Sequence, residues 1–132
     1  MNGFLGTYEI SLDDKGRFNV PVKFRNVLER ENNPNLVMTH MDGYLIVFPQ
    51  TEWTRNEARL KDLDSFERED RNKKRKIFSR AVEIDIKSGK ILVPLKQRNV
   101  AGLNKEVVLV GMSESFEIWS KDLWLENEGE ED

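Results

Sequence analysis

The chain has 132 residues, 24 acidic and 21 basic, with a formal net charge of −3, 38% hydrophobic residues and no cysteine. That length suits one compact unit, or two small halves sharing a thin core, and the missing cysteines exclude a disulfide framework and Cys-based zinc or nucleophile chemistry. No apolar run approaches membrane-spanning length, and Met1-Asn2-Gly3-Phe4 does not open a charged-then-apolar leader, so the expectation is a cytoplasmic chain, neither secreted nor inserted in a membrane.

In chain order, Tyr8, Ile10 and Leu12 alternate with polar residues, as a half-buried strand requires. Asp13-Asp14-Lys15-Gly16 supplies a turn, with Gly16 free to adopt positive φ, and Phe18 and Val20 resume the alternation. Pro21 fits the first position of a short helix reaching about residue 29, where its missing N–H costs nothing. A loop at Asn32-Asn33-Pro34-Asn35 leads to a second hairpin, residues 36–40 and 44–48, turning at Met41-Asp42-Gly43. Thr51 is expected to cap a helical segment, and residues 62–79 read as one long charged helix. Its run Arg71-Asn72-Lys73-Lys74-Arg75-Lys76 is the densest basic patch in the chain. As a solvated helix face it can pair with Glu67, Glu69 and Asp70; as a functional patch it can contact phosphates.

The second half repeats the first. Gly16-Arg17-Phe18-Asn19-Val20-Pro21-Val22-Lys23-Phe24-Arg25-Asn26-Val27 aligns ungapped with Gly89-Lys90-Ile91-Leu92-Val93-Pro94-Leu95-Lys96-Gln97-Arg98-Asn99-Val100, seven of twelve positions being identical. Val82, Ile84 and Ile86 replay the first strand, Lys87-Ser88-Gly89 the turn, and residues 106–112 with 115–119 the second hairpin. The organisation expected is an N-terminal half at 1–53, a helical linker at 54–79, a C-terminal half at 80–125 and a disordered acidic tail at 126–132. The tail holds five acids and no base, leaving 19 acids against 21 bases in the body, so the folded part is mildly basic.

Arg17, with its fork-shaped cation, stands at the tip of a two-stranded ribbon, a shape that fits the major groove. Asp13, four residues away, can aim the guanidinium or merely pair with it to stiffen the turn. Lys15, Lys23 and Arg25 belong to the same unit and are candidate phosphate contacts, as are Lys87 and Lys90 in the second. Arg25 and Arg98, each four residues after a proline, can equally pack along their stems. Gly16 and Gly89 are structural under either reading. The single histidine, His40, lies on a strand as a packed or surface residue. Among the nucleophile and nucleotide motifs, no Gly-x-Ser-x-Gly, P-loop or Gly-x-Gly-x-x-Gly is present. No cofactor, metal site or small-molecule substrate is expected, and the chain does not read as an enzyme. Trp53, Trp119 and Trp124 are expected core or interface anchors.

Ser11-Leu12-Asp13-Asp14-Lys15-Gly16-Arg17, followed by Val20-Pro21 and Phe24-Arg25, resembles the first Asp-x-x-x-Arg element of MraZ proteins. Residues 101–111, Ala-Gly-Leu-Asn-Lys-Glu-Val-Val-Leu-Val-Gly, with Phe116-Glu117-Ile118-Trp119, resemble that family's C-terminal signature. The resemblance spans roughly residues 3–124. It implies a mainly β fold with short helices, in which two swapped-hairpin, AbrB-like halves form a pseudo-two-fold double-split β-barrel. It also implies a ring-like homo-oligomer, nucleoid-associated, that binds double-stranded DNA at repeated promoter sites and regulates division and cell-wall genes. The alternative is an AbrB-like interaction module that assembles without reading DNA. One departure from the family pattern concerns the second Asp-x-x-x-Arg: its turn is a residue shorter here, its Asp is gone and its Arg is Lys90, while Asp85 lies on the polar phase of the strand. A lysine acts as a point charge rather than a two-bond fork, so the second turn is expected to position backbone rather than read bases.

Overall fold

The computed structural model describes residues 3–30 and 34–129. The first half contributes β1 (Thr7–Ser11), β2 (Arg17–Asn19), α1 (Val22–Arg30), β3 (Asn35–Met41) and β4 (Tyr44–Pro49). Helices α2 (Gln50–Lys61) and α3 (Arg68–Phe78) follow. The second half supplies β5 (Val82–Lys87), β6 (Lys90–Leu92), α4 (Leu95–Val100), β7 (Glu106–Gly111), β8 (Phe116–Ser120) and α5 (Lys121–Gly129).

One eight-stranded antiparallel sheet runs β1-β7-β8-β4-β3-β5-β6-β2. Its two end strands, β1 and β2, are joined by the turn at residues 13–16, so the sheet curls into a nearly closed barrel. The halves interleave. β1 pairs with β7 of the other half, Tyr8 opposite Leu109, rather than with β2; β5 pairs with β3, and β2 pairs with β6, Phe18 opposite Ile91. The expected double-split barrel is therefore the fold, with hairpin arms exchanged between the repeats. The strands so placed turn most of their apolar positions inward, with Leu92 of β6 left exposed. Phe4, Phe24 and Phe116 meet at centroid distances of 5.1–5.2 Å, with Tyr8 5.1 Å from Phe24. Edge-to-face and tilted contacts of this kind add to simple area burial.

Three local expectations shift. Pro94 stands one residue before α4, as its N-cap, and Pro21 likewise precedes α1; each carbonyl accepts the first i→i+4 bond of its helix, Pro94 from Arg98 N–H at 3.0 Å and Pro21 from Arg25 N–H at 2.9 Å. Pro49, not Thr51, is the N-cap of α2, because β4 continues to that residue and its fixed φ of −58° turns the chain directly into the helix. The charged segment is not one helix. Asp64 accepts the N–H of Phe66 at 2.9 Å, and Asp70 accepts that of Asp64 at 2.8 Å. Such side-chain bonds offer the backbone an alternative to helical ladders and break the segment at residues 62–67.

At the C-terminus, α5 carries residues 126–129 into helix, capped where the Ser120 hydroxyl accepts the N–H of Leu123 at 3.1 Å. The expected disordered tail thus begins in ordered structure, and its residues 130–132 lie outside the described ones. Helices α2 and α3 lean on β3 and β4: Trp53 sits 5.8 Å from Phe48 and 6.0 Å from Phe78, and Thr39 donates its hydroxyl hydrogen to the Ile77 carbonyl at 3.2 Å. Trp119 stacks on Tyr44 at 4.5 Å and meets Trp124 at 5.3 Å, so all three tryptophans anchor packing. No helix among the described residues is long and apolar enough to cross a membrane.

Candidate nucleic-acid interface

The expected ribbon carrying Arg17 at a hairpin tip does not form from β1 and β2, which pair with other strands; β2 pairs instead with β6 in a short ribbon with a turn at each end. Phe18 and Ile91 point into the core; on the outer face Arg17 stands opposite Leu92 and Asn19 opposite Lys90. Arg17 and Lys90 are thus diagonal neighbours across a pseudo-two-fold axis, with Cβ atoms about 7 Å apart. The axis shows in the backbone as well. Val20 donates its N–H to the Gly89 carbonyl and Val93 its own to the Gly16 carbonyl, each at 2.9 Å.

The turn at residues 13–17 is built around one carboxylate. Gly16 N–H returns to the Asp13 carbonyl at 2.9 Å, and Asp13 N–H reaches the Arg17 carbonyl at 2.8 Å. Gly16 sits at φ +87°, so this is the three-residue hairpin loop whose last residue must be left-handed. Asp13 Oδ1 accepts the N–H of Arg17 at 2.8 Å and of Lys15 at 3.0 Å, while Oδ2 takes the Arg17 Nε–H at 2.9 Å. These bonds, led by the Arg17 backbone N–H, pull the Asp13 carboxyl from 3.8 down to about 2. Asp13 occupies only the Nε edge of Arg17. The Arg17 side chain is 43% exposed, and among the described residues its Nη groups bond to no protein atom. The expected ion pair exists, and it engages the guanidinium through Nε alone. Lys15 is exposed beside it.

The second turn is different. Ser88 and Gly89 both take positive φ, +52° and +75°, closing a two-residue hairpin with Lys87 directly opposite Lys90. Lys87 lies 3.9 Å from Asp85, while Lys90 has no acidic partner among the described residues. Asp85 thus sits beside Lys87 of its own strand and forms no ion pair with Lys90 among the described residues.

Arg25 and Arg98 leave their own halves and lie on the opposite turns. A Cβ on Gly89 would fall 3.1 Å from Arg25 Nη1, and one on Gly16 only 2.5 Å from Arg98 Nε. Both glycines are therefore needed twice, for their φ and for the arginine that fills the side-chain space. Sequence reasoning missed this contact, although each arginine follows its half's glycine at the same nine-residue spacing. Arg25 belongs with Lys87 and Lys90, whereas Lys23 is set apart from the ribbon and lines a hollow with Tyr8, Asn26 and Arg30. In α3 the expected pairs with Glu67 and Glu69 do not form among the described residues. Arg71 and Lys74 instead donate to Ser65, each at 3.0 Å, bracing the break before the helix. His40 is partly buried, and desolvation, then Arg80 and Lys96, lowers its pKa. No group of three or more metal-ligating side chains occurs among the described residues.

Two stretches of the chain, residues 4–76 and 77–131, match the family model of the MraZ protein, described as antitoxin-like. The chain is 44% identical over 125 residues to a transcriptional regulator MraZ of Pediococcus pentosaceus, covering 93% of this chain and 85% of that one. It is 38% identical over 129 residues to the transcriptional regulator MraZ of Thioalkalivibrio sulfidiphilus, covering 96% and 86% respectively. The corresponding figures for the Oenococcus oeni protein of the same name are 40% over 124 residues, 93% and 85%.

Proposed function

This chain belongs to the MraZ family, and from that premise we propose that it is a cytoplasmic, nucleoid-associated transcriptional regulator, not an enzyme, that binds double-stranded DNA sequence-specifically. The observation that carries the reading is the outward-facing Arg17 guanidinium, aimed through Nε by Asp13 with both Nη groups free for a base edge. Lys15 beside it, and Lys87, Lys90 and Arg25 at the other end of the ribbon, contact phosphates and fix register. Lys23, standing apart, adds a more distant contact. The directly opposed Lys87 and Lys90 repel each other, and an intervening phosphate relieves that repulsion.

Copies of the chain assemble head to tail, so that equal turns meet repeated promoter sites ahead of division and cell-wall genes. The support is a mismatched pair of features on one surface. Phe66, on the loop between α2 and α3, is 93% exposed. A hollow of about 390 Å³ beside that loop is lined by Met41, Phe48, Trp53, Leu60, Leu63 and Ile77. A knob and a hole at different places on one surface make a heterologous contact, which propagates and can close into a ring.

The test is titration of a labelled duplex from the gene's own upstream region at several salt concentrations. Saturable binding that weakens with salt and collapses in Arg17→Ala supports the reading. Absence of binding at micromolar protein, with assembly intact, leaves an assembly module that does not read DNA.

A further inference from the structure

Arg98 is tied into a closed loop of contacts that crosses the pseudo-two-fold axis. Its Nε donates to the Val93 carbonyl at 3.0 Å, Val93 N–H donates to the Gly16 carbonyl at 2.9 Å, and the Arg98 stem and guanidinium lie over Gly16 where a Cβ would stand. Arg98 also lines a hollow of about 280 Å³ with Asp13, Asp14 and Lys105, the charged groups that face it. A glycine in a tight turn has no side chain with which to hold itself against the barrel; here the opposite half supplies one. At the other turn the loop is open, because Arg25 Nε is buried without a hydrogen-bond partner among the described residues.

We propose that Arg98 is a positioning residue for DNA recognition: it clamps the turn at residues 13–17 from the opposite half and so fixes where Arg17 points, without touching DNA. The inference rests on the DNA-reading role of that turn. It also means that neither repeat holds its recognition turn alone, since the fork belongs to one half and the clamp to the other. The Asp13 carboxyl reports on the clamp independently of DNA. The groups that lower its pKa are the Arg17 N–H, the Arg17 side chain and the Lys15 N–H, all within the turn and none on Arg98. Arg98→Gln removes the same charge as Arg98→Ala and Arg98→Met, so a titration restored in Gln alone is transmitted through turn geometry and not through the lost charge.

The experiment pairs a carboxyl-carbon NMR titration of Asp13 with duplex binding in three Arg98 variants of the full chain. Arg98→Ala is expected to raise the Asp13 pKa toward the ordinary value. The same change weakens duplex binding about fivefold to tenfold, the worth of one lost hydrogen bond with its packing, and leaves the salt slope unchanged. Arg98→Gln, whose Nε2 takes the place of the guanidinium Nε, restores both. Arg98→Met keeps the stem over Gly16 without the donor; it replaces Ala if that variant unfolds, with a smaller change in the same direction expected. An Asp13 titration unmoved in Ala and Met overturns the proposal, whether or not duplex binds. A salt slope reduced by about one, or Gln restoring Asp13 but not affinity, also overturns it, because Arg98 is then a phosphate contact. Failure of the unaltered chain to bind duplex removes the DNA reading while the Asp13 titration still decides the clamp.

Discussion

The two turns that flank the β2–β6 ribbon descend from one repeat and occupy equivalent places about its axis, yet they differ by a single residue. The longer turn has room for Asp13 to accept two backbone N–H groups and one guanidinium N–H. The shorter one closes through Ser88 and Gly89, both at positive φ, and brings Lys87 and Lys90 face to face. The shorter turn thus has no seat for an orienting carboxylate, and its cation is the lysine Lys90. What is left is concentrated, undirected positive charge, suited to phosphate rather than to a base edge. The proposed division between reading at one end and backbone gripping at the other rests on that one-residue difference together with the exchange of Arg17 for Lys90.

Assembly has to be separated from reading before the two ends can be compared. Phe66→Ser is expected to disperse the particle in sedimentation velocity. It should weaken binding to a multi-repeat duplex by about a hundredfold through lost effective concentration, with single-site affinity retained; a particle of unchanged size removes Phe66 from the contact. On a single site, Arg17→Ala should then cost about tenfold to a hundredfold, as a lost two-bond base contact does. Lys90→Ala should cost only a few-fold, evenly across sequences, with the salt slope falling by about one. Equal and sequence-dependent losses from both would break the distinction.

The glycines sharpen it on the stability side. Gly16→Ala meets both a φ of +87° and the Arg98 Nε 2.5 Å away, whereas at Gly89, φ +75°, the Arg25 end group 3.1 Å away can give. Urea unfolding should show a loss of about 2–3 kcal/mol for the first and about 1 kcal/mol for the second. The smallest effect is acid sensitivity. The Asp13 carboxyl is held at about 2 against an ordinary 3.8, so its contribution is complete above pH 3.8 and is lost as pH falls toward 2. The Gly16 amide resonance should move over that window and the Gly89 resonance much less, since no carboxylate sits within the second turn.

The readable part of the candidate site was its local chemistry. Asp13, Gly16 and Arg17 lie within five residues, and a turn of that kind is specified by its own φ preferences and side-chain bonds. The departure at Lys90 was equally visible, because the repeat supplies an internal template. Helix ends were harder: Thr51 has the composition of a cap, but β4 reached Pro49 first, and Asp64 and Asp70 broke a segment whose charge pattern reads as continuous helix. Lys23 was grouped with Arg17 by proximity in the chain, and the course of α1 carried it elsewhere.

By itself the sequence determined the duplication, the strand phases, the relative lengths of the two turns and the side chains placed on them, all of which depend on period and contacts within a few residues. Only the tertiary structure decided that β1 pairs with β7 and not β2, and that Arg98 closes over Gly16 and Arg25 over Gly89. Alternation tells a strand which face to bury but not which neighbour to take. That choice is made by long-range packing, where one short strand among eight has several apolar partners of equal local merit.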